Sequence, residues 1–130
     1  MVNPMPRRSL LVVVLLSLVA AACSSSETSD IPPTLEPQAL AGQQVFTLYC
    51  ASCHATQPDM KIVGPSLYGI ATIAGTRVPG QDATAYITES ILDPGAHVIE
   101  GYQDLMPNTF GKTLSGDDLD ALLAYLLTLK

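Results

Sequence analysis

The run Cys50-Ala51-Ser52-Cys53-His54 constrains this chain more than any other stretch of it. On a helical turn, thiols three residues apart project the same way, and the next imidazole adds a nitrogen donor beside them. That spacing lets both thiols form thioethers with the vinyl groups of one haem, while His54 reaches the iron. Two other readings compete for the same residues. A redox dithiol goes with a thioredoxin-like βαβ pattern, which this chain lacks. A zinc site needs a second ligand pair at finger spacing, and none follows. Composition agrees with the haem: only 5% of the chain is aromatic and Trp is absent. A small domain so poor in large side chains must find core volume elsewhere, and a bound cofactor supplies it.

A second iron ligand must come from further along, and Met60, Met106 and His97 are the candidates. Met60 is close behind His54, between Asp59 and Lys61, and reads as a solvated rim residue. Met106 precedes Pro107 in the loop GYQDLMPNTFGK between two helical segments. The proline fixes its own φ and holds Met106 extended, a stiffness that suits a ligand loop. His97 beside Pro94-Gly95 reads as a surface residue; as a ligand it would give a bis-His site of lower potential.

Residues 1–22 read as a signal peptide. Arg7 and Arg8 form a positive start, and Leu10 to Ala22 is apolar or small apart from Ser17. Thirteen residues fall short of the about 20 that span a membrane, but they match the apolar region of an export signal. The run ends Ala20-Ala21-Ala22-Cys23. Either Cys23 is a lipoprotein cysteine, or the alanines are an ordinary cleavage site that leaves a free thiol. A lone thiol is a liability in an oxidising compartment, which favours lipidation; Ala20 in place of the lipoprotein box's usual Leu speaks against it. Arg7-Arg8 also resembles a twin-arginine signal, but haem attachment after translocation suits the general secretion route. Residues 23–37 are then the anchor site and a tether. The stretch SSSETSDIPPTLEP is too polar to order itself, and its fourteen residues reach at most about 45–50 Å.

Charge narrows the partners. Beyond position 22 lie four basic residues (Lys61, Arg77, Lys112, Lys130) and all twelve acidic ones, a balance of −8. Such a surface repels phosphate backbones, which excludes nucleic acid, and it favours a protein partner with a basic face.

Local signals place three helices within residues 38–130. The first runs from Gln38 to Tyr49, with Leu40, Val45, Leu48 and Tyr49 as its apolar residues. Ala55 to Gly80 is punctuated by Gly and Pro and reads mostly as loop. Asp82 caps a second helix to about Leu92, closed by Asp93-Pro94-Gly95. Ser115 caps the last, with Asp117 and Asp118 suited to the helix dipole and a core stripe of Leu119, Leu122, Leu123 and Leu126. No strand pattern stands out.

Over Gln38 to Lys130 the sequence resembles the class I, mitochondrial-type, mono-haem c-type cytochromes. The resemblance implies an all-α fold in which the N- and C-terminal helices cross around a covalently bound haem c. Gly42, Phe46 and Tyr125 match the family's trio at that crossing. Gly64-Pro65-Ser66-Leu67-Tyr68-Gly69 matches its Gly-Pro-x-Leu-x-Gly segment. By that match the Pro65 carbonyl accepts from His54 Nδ1, Leu67 packs on the haem edge, and Arg77 stands near a propionate. Met106-Pro107 matches the distal Met-Pro, making His54 and Met106 the axial ligands. ESILDPGAHVIEGYQDLMP is also similar to cytochrome domains of respiratory membrane complexes, such as the haem-bearing end of certain oxidase second subunits. The function implied is one-electron transfer, not catalysis, by a membrane-tethered carrier or complex subunit outside the cytoplasm. The competing readings are a haem enzyme or gas sensor with an open distal site, and a haem that serves only as structural core.

Overall fold

The computed structural model describes residues 35–130. The expected signal peptide, Cys23 and the tether as far as residue 34 lie outside the described residues. Among the described residues five α-helices and two 3-10 turns follow in order: α1 Pro37–Tyr49, α2 Ile70–Ile73, a 3-10 turn Ala74–Thr76, α3 Ala83–Leu92, a 3-10 turn Pro94–His97, α4 Phe110–Thr113 and α5 Gly116–Leu126. No strand occurs among the described residues.

The α1–α5 pair is the most extensive helix–helix contact of the described residues, and its closeness is written in one glycine. A Cβ on Gly42 would lie 1.8 Å from the Ala121 carbonyl oxygen and 2.9 Å from Tyr125 Cβ. Only a residue without a side chain lets the two backbones approach so closely. One turn on, the rings of Phe46 and Tyr125 pack with centroids 5.4 Å apart and planes tilted by 51°, a geometry that suits aromatic quadrupoles. The expected trio therefore forms the crossing.

Of the apolar residues read from the sequence for α1, only Val45 packs against the core cluster. The buried face of α1 is Ala39, Gly42 and Phe46, whereas Leu40 and especially Leu48 (73% exposed) face outward. At the point of closest approach a side chain is excluded, and Gly42 stands there. The helix also starts at Pro37, one residue earlier than expected, where proline's fixed φ suits the first turn.

The later helices begin where their caps place them. Asp82 accepts a hydrogen bond from the Ala85 N–H at 2.8 Å, and α3 runs to Leu92 as expected. At α5, Ser115 and Asp118 close a reciprocal capping box: the Asp118 N–H donates to Ser115 Oγ and the Ser115 N–H to Asp118 Oδ2, both at 3.1 Å. Leu122, Leu123 and Leu126 are buried and Leu119 is half-buried, so the leucine stripe is core. Phe46, Ile70, Ala74, Tyr86, Ile87, Ile91, Phe110 and Tyr125 complete that cluster. The stretches read as loop conceal two short helices, α2 and α4. Each contributes one buried anchor, Ile70 and Phe110, to the core. The Ala71 N–H donates to the Leu129 carbonyl at 3.0 Å, which fastens α2 to the chain's last turn.

Candidate functional site

α1 ends at Tyr49, and the chain then turns tightly through the pentapeptide. The N–H groups of Cys53 and His54 both donate to the Cys50 carbonyl, at 3.0 and 2.9 Å. The returning segment is laced back onto this turn. The Gly64 N–H donates to the Cys53 carbonyl at 2.9 Å, and the Leu67 N–H to the Ala55 carbonyl at 2.8 Å. Ser66 Oγ tightens the return by donating to the Gln57 carbonyl at 2.6 Å. The Gly-Pro-x-Leu-x-Gly segment is thus a strap across the base of the motif.

That strap orients His54. Its Nδ1 lies 2.8 Å from the Pro65 carbonyl oxygen. A carbonyl can only accept, so Nδ1 carries the ring's hydrogen and Nε2 keeps its lone pair free to coordinate. The ring rests on Gly64, where a Cβ would come within 2.5 Å of Cε1. Glycine is required there by a close approach of side chain to backbone.

A cavity of about 250 Å³ opens beside this turn and is walled by core side chains, among them Ile70, Ile87, Ile91, Phe110 and Leu126. Every site residue expected within the described part of the chain lines it: Cys50, Cys53, His54, Pro65, Leu67, Arg77 and Met106. Arg77 is exposed, at the cavity's mouth; Met106 is half-buried and packs against the core cluster. Met60 lies outside, 47% exposed, as a rim residue should.

His97 is not the surface residue the sequence suggested. Its side chain is only 23% exposed, lines the cavity, and stacks on Tyr86 with centroids 5.4 Å apart. Its Nε2 lies 2.7 Å from Glu89 Oε2, and that same oxygen accepts from Gln81 Nε2 at 2.6 Å. Those two hydrogen bonds, Gln81's first and His97's second, hold the Glu89 carboxyl below its ordinary range. The imidazole nitrogen that faces Glu89 is engaged by the carboxylate.

The donor set fits a haem better than either rival. Burial, and the neighbouring Cys53, push the Cys50 thiol up to about 11, whereas reactive redox dithiols are lowered. Among the described residues no three Cys, His, Asp or Glu side chains converge on a point that could hold a metal ion by themselves. The cavity is apolar on most sides, yet Ser90 Oγ is buried in its wall without a hydrogen-bond partner. A buried hydroxyl in that state calls for an acceptor from outside the chain, and a haem propionate is one. Sequence reading missed Ser90, although its spacing from Tyr86 and Ile87 already puts it on the inward face of α3. Tyr102, also in the wall, was missed for want of any local signal.

The family model for Cytochrome c matches residues 39–130, from the first turn of α1 onward. No curated protein matches the chain.

Proposed function

Because the chain belongs to the cytochrome c family, which carries covalent haem c and serves electron transfer, we propose that it is a class I, mono-haem electron carrier or complex subunit tethered to a membrane by a lipid on Cys23. The observation that carries this reading is the convergence on one cavity of Cys50, Cys53 and His54 from the end of α1 with Met106 from the loop before α4. Cys50 and Cys53 supply the two thioether sulfurs. His54 Nε2 and the Met106 thioether would hold the iron, with the Pro65 carbonyl fixing the His54 ring. Arg77 and Ser90 take the propionates. When bound, the haem supplies a one-electron Fe(II)/Fe(III) couple.

The side chains decide how that couple is used. With His54 and Met106 both serving as ligands, a bound haem would have no position left for a substrate or O₂, and the chain would act as a conduit. A Met donor favours the reduced state more than a second imidazole would, and the apolar walls act in the same direction. The −8 balance beyond position 22 suits a partner with a basic face, met across a small and transient contact. The apolar leader, Cys23 and the polar tether support export and anchoring beside a respiratory or photosynthetic complex that oxidises quinol or reduces oxygen. No helix among the described residues is long and apolar enough to cross a membrane.

Potentiometric titration of the purified holoprotein tests the carrier reading, with CO then added to the reduced form. A single one-electron wave and an unchanged spectrum under CO are expected; CO binding would instead indicate an open distal site. Fractionating cells that produce Cys23→Ser tests the tether, because that variant should leave the membrane fraction.

A further inference from the structure

The two segments that supply the axial donors are joined across the cavity's rim by one side chain. The stretch between His54 and Gly64 carries Lys61, and the Met106 segment carries Gly101 and Tyr102. Lys61 Nζ donates to the Gly101 carbonyl at 3.4 Å and lies 4.1 Å from the centroid of the Tyr102 ring. We infer that Lys61 and Tyr102 form a clasp that keeps the Met106 segment on the cavity and sets how often Met106 leaves the iron, which makes Lys61 a positioning residue. The inference rests on the His54/Met106 reading above.

The clasp matters because little else fastens that segment. Residues 99–107 make internal turns, with the Tyr102 N–H on the Ile99 carbonyl at 3.0 Å and the Leu105 N–H on the Gln103 carbonyl at 2.9 Å. Among the described residues, the Lys61 bond is the one hydrogen bond that leaves the segment. Met106 has no hydrogen bond of its own to hold it, only apolar packing and the stiffness of Pro107. Gly101 prepares the receiving side. Its φ of +83° is the left-handed conformation that the third position of the Ile99–Tyr102 turn favours, and it belongs to glycine. Lys61 itself does not line the cavity, so it touches neither donor and acts through the loop.

Stopped-flow binding of imidazole to the oxidised, full-length holoprotein measures the loosening directly. At saturating imidazole the limiting rate is the rate at which Met106 dissociates. An exposed cation–π contact corresponds to roughly a two- to fivefold change in that rate. Lys61→Met keeps the stem and removes the charge, and Tyr102→Leu removes the ring; each should raise the limiting rate by that factor. The double variant should be no faster than the faster single one, and Lys61→Arg should return to the parent rate. A limiting rate unmoved in Lys61→Met, even with a lowered denaturant midpoint, would leave Lys61 a merely structural residue and overturn the inference. Additive effects in the double variant would overturn it too. A parent protein that shows no sulfur-to-iron absorption band would overturn the His54/Met106 reading, and the clasp's role with it.

Discussion

Gly64 lies so close under the His54 ring that a Cβ there would stand 2.9 Å from Nδ1, the atom that donates to Pro65. The glycine and the proline act together, one by leaving room and the other by accepting the hydrogen bond. Gly64→Ala should push the ring off the Pro65 carbonyl, at an overpacking cost of about 1–3 kcal/mol. The checks are a lowered denaturant midpoint and faster solvent exchange of the His54 Nδ1 hydrogen in proton NMR.

At the helix crossing the usual sign of a glycine substitution should reverse. In an exposed helix interior, Gly→Ala gains about 1 kcal/mol. Here the new methyl would meet the Ala121 backbone, which cannot swing aside, so Gly42→Ala should destabilise by about 1–3 kcal/mol. Leu48→Gln, on the outward face of the same helix, should shift stability by no more than about 0.5 kcal/mol. Urea unfolding of the three proteins side by side separates these expectations.

The capping box of α5 should be measurable on its own. Ser115→Ala removes the side-chain acceptor of the Asp118 N–H and should cost about 1 kcal/mol. Thermal unfolding at neutral pH is the test.

Acid should weaken the fold through two carboxylates. The Ser115 hydroxyl, then its backbone N–H, hold Asp118 below its usual range; Gln81, then His97, do the same for Glu89. Each is harder to protonate folded than unfolded, so the unfolded chain binds more protons as the medium turns acid. The stabilisation is fully present above the ordinary carboxylate range and fades as pH falls through the lowered folded values. Denaturant midpoints measured from neutral pH downward should fall in that window, and the fall should be shallower in Asp118→Asn and in Glu89→Gln.

Much of this arrangement could be read from the chain, and the exceptions share a cause. The caps at Asp82 and Ser115, the pentapeptide and the Gly64-Pro65 strap act through neighbours near in sequence, and they stand where expected. Gly42 and Phe46 stand at the α1 crossing as expected, but apolar character alone does not mark that face: Leu40 and Leu48 are exposed, and the partner's nearness selects Ala39 beside Gly42. The short helices α2 and α4 were hidden in Gly- and Pro-rich stretches, since each depends on one residue, Ile70 or Phe110, finding a core built elsewhere. His97 was taken for a surface residue because its partners, Glu89 and Tyr86, are on α3, and only the fold around Pro94 turns it inward. The Lys61–Tyr102 contact spans some forty residues and leaves no local trace.

The optical spectrum of the oxidised holoprotein tests the central assignment most directly. A weak far-red band marks a methionine sulfur on ferric haem. It should be present in the parent, persist in His97→Ala and vanish in Met106→Ala. Its absence from the parent, or its survival in Met106→Ala, would contradict the assignment of His54 and Met106 as the axial pair.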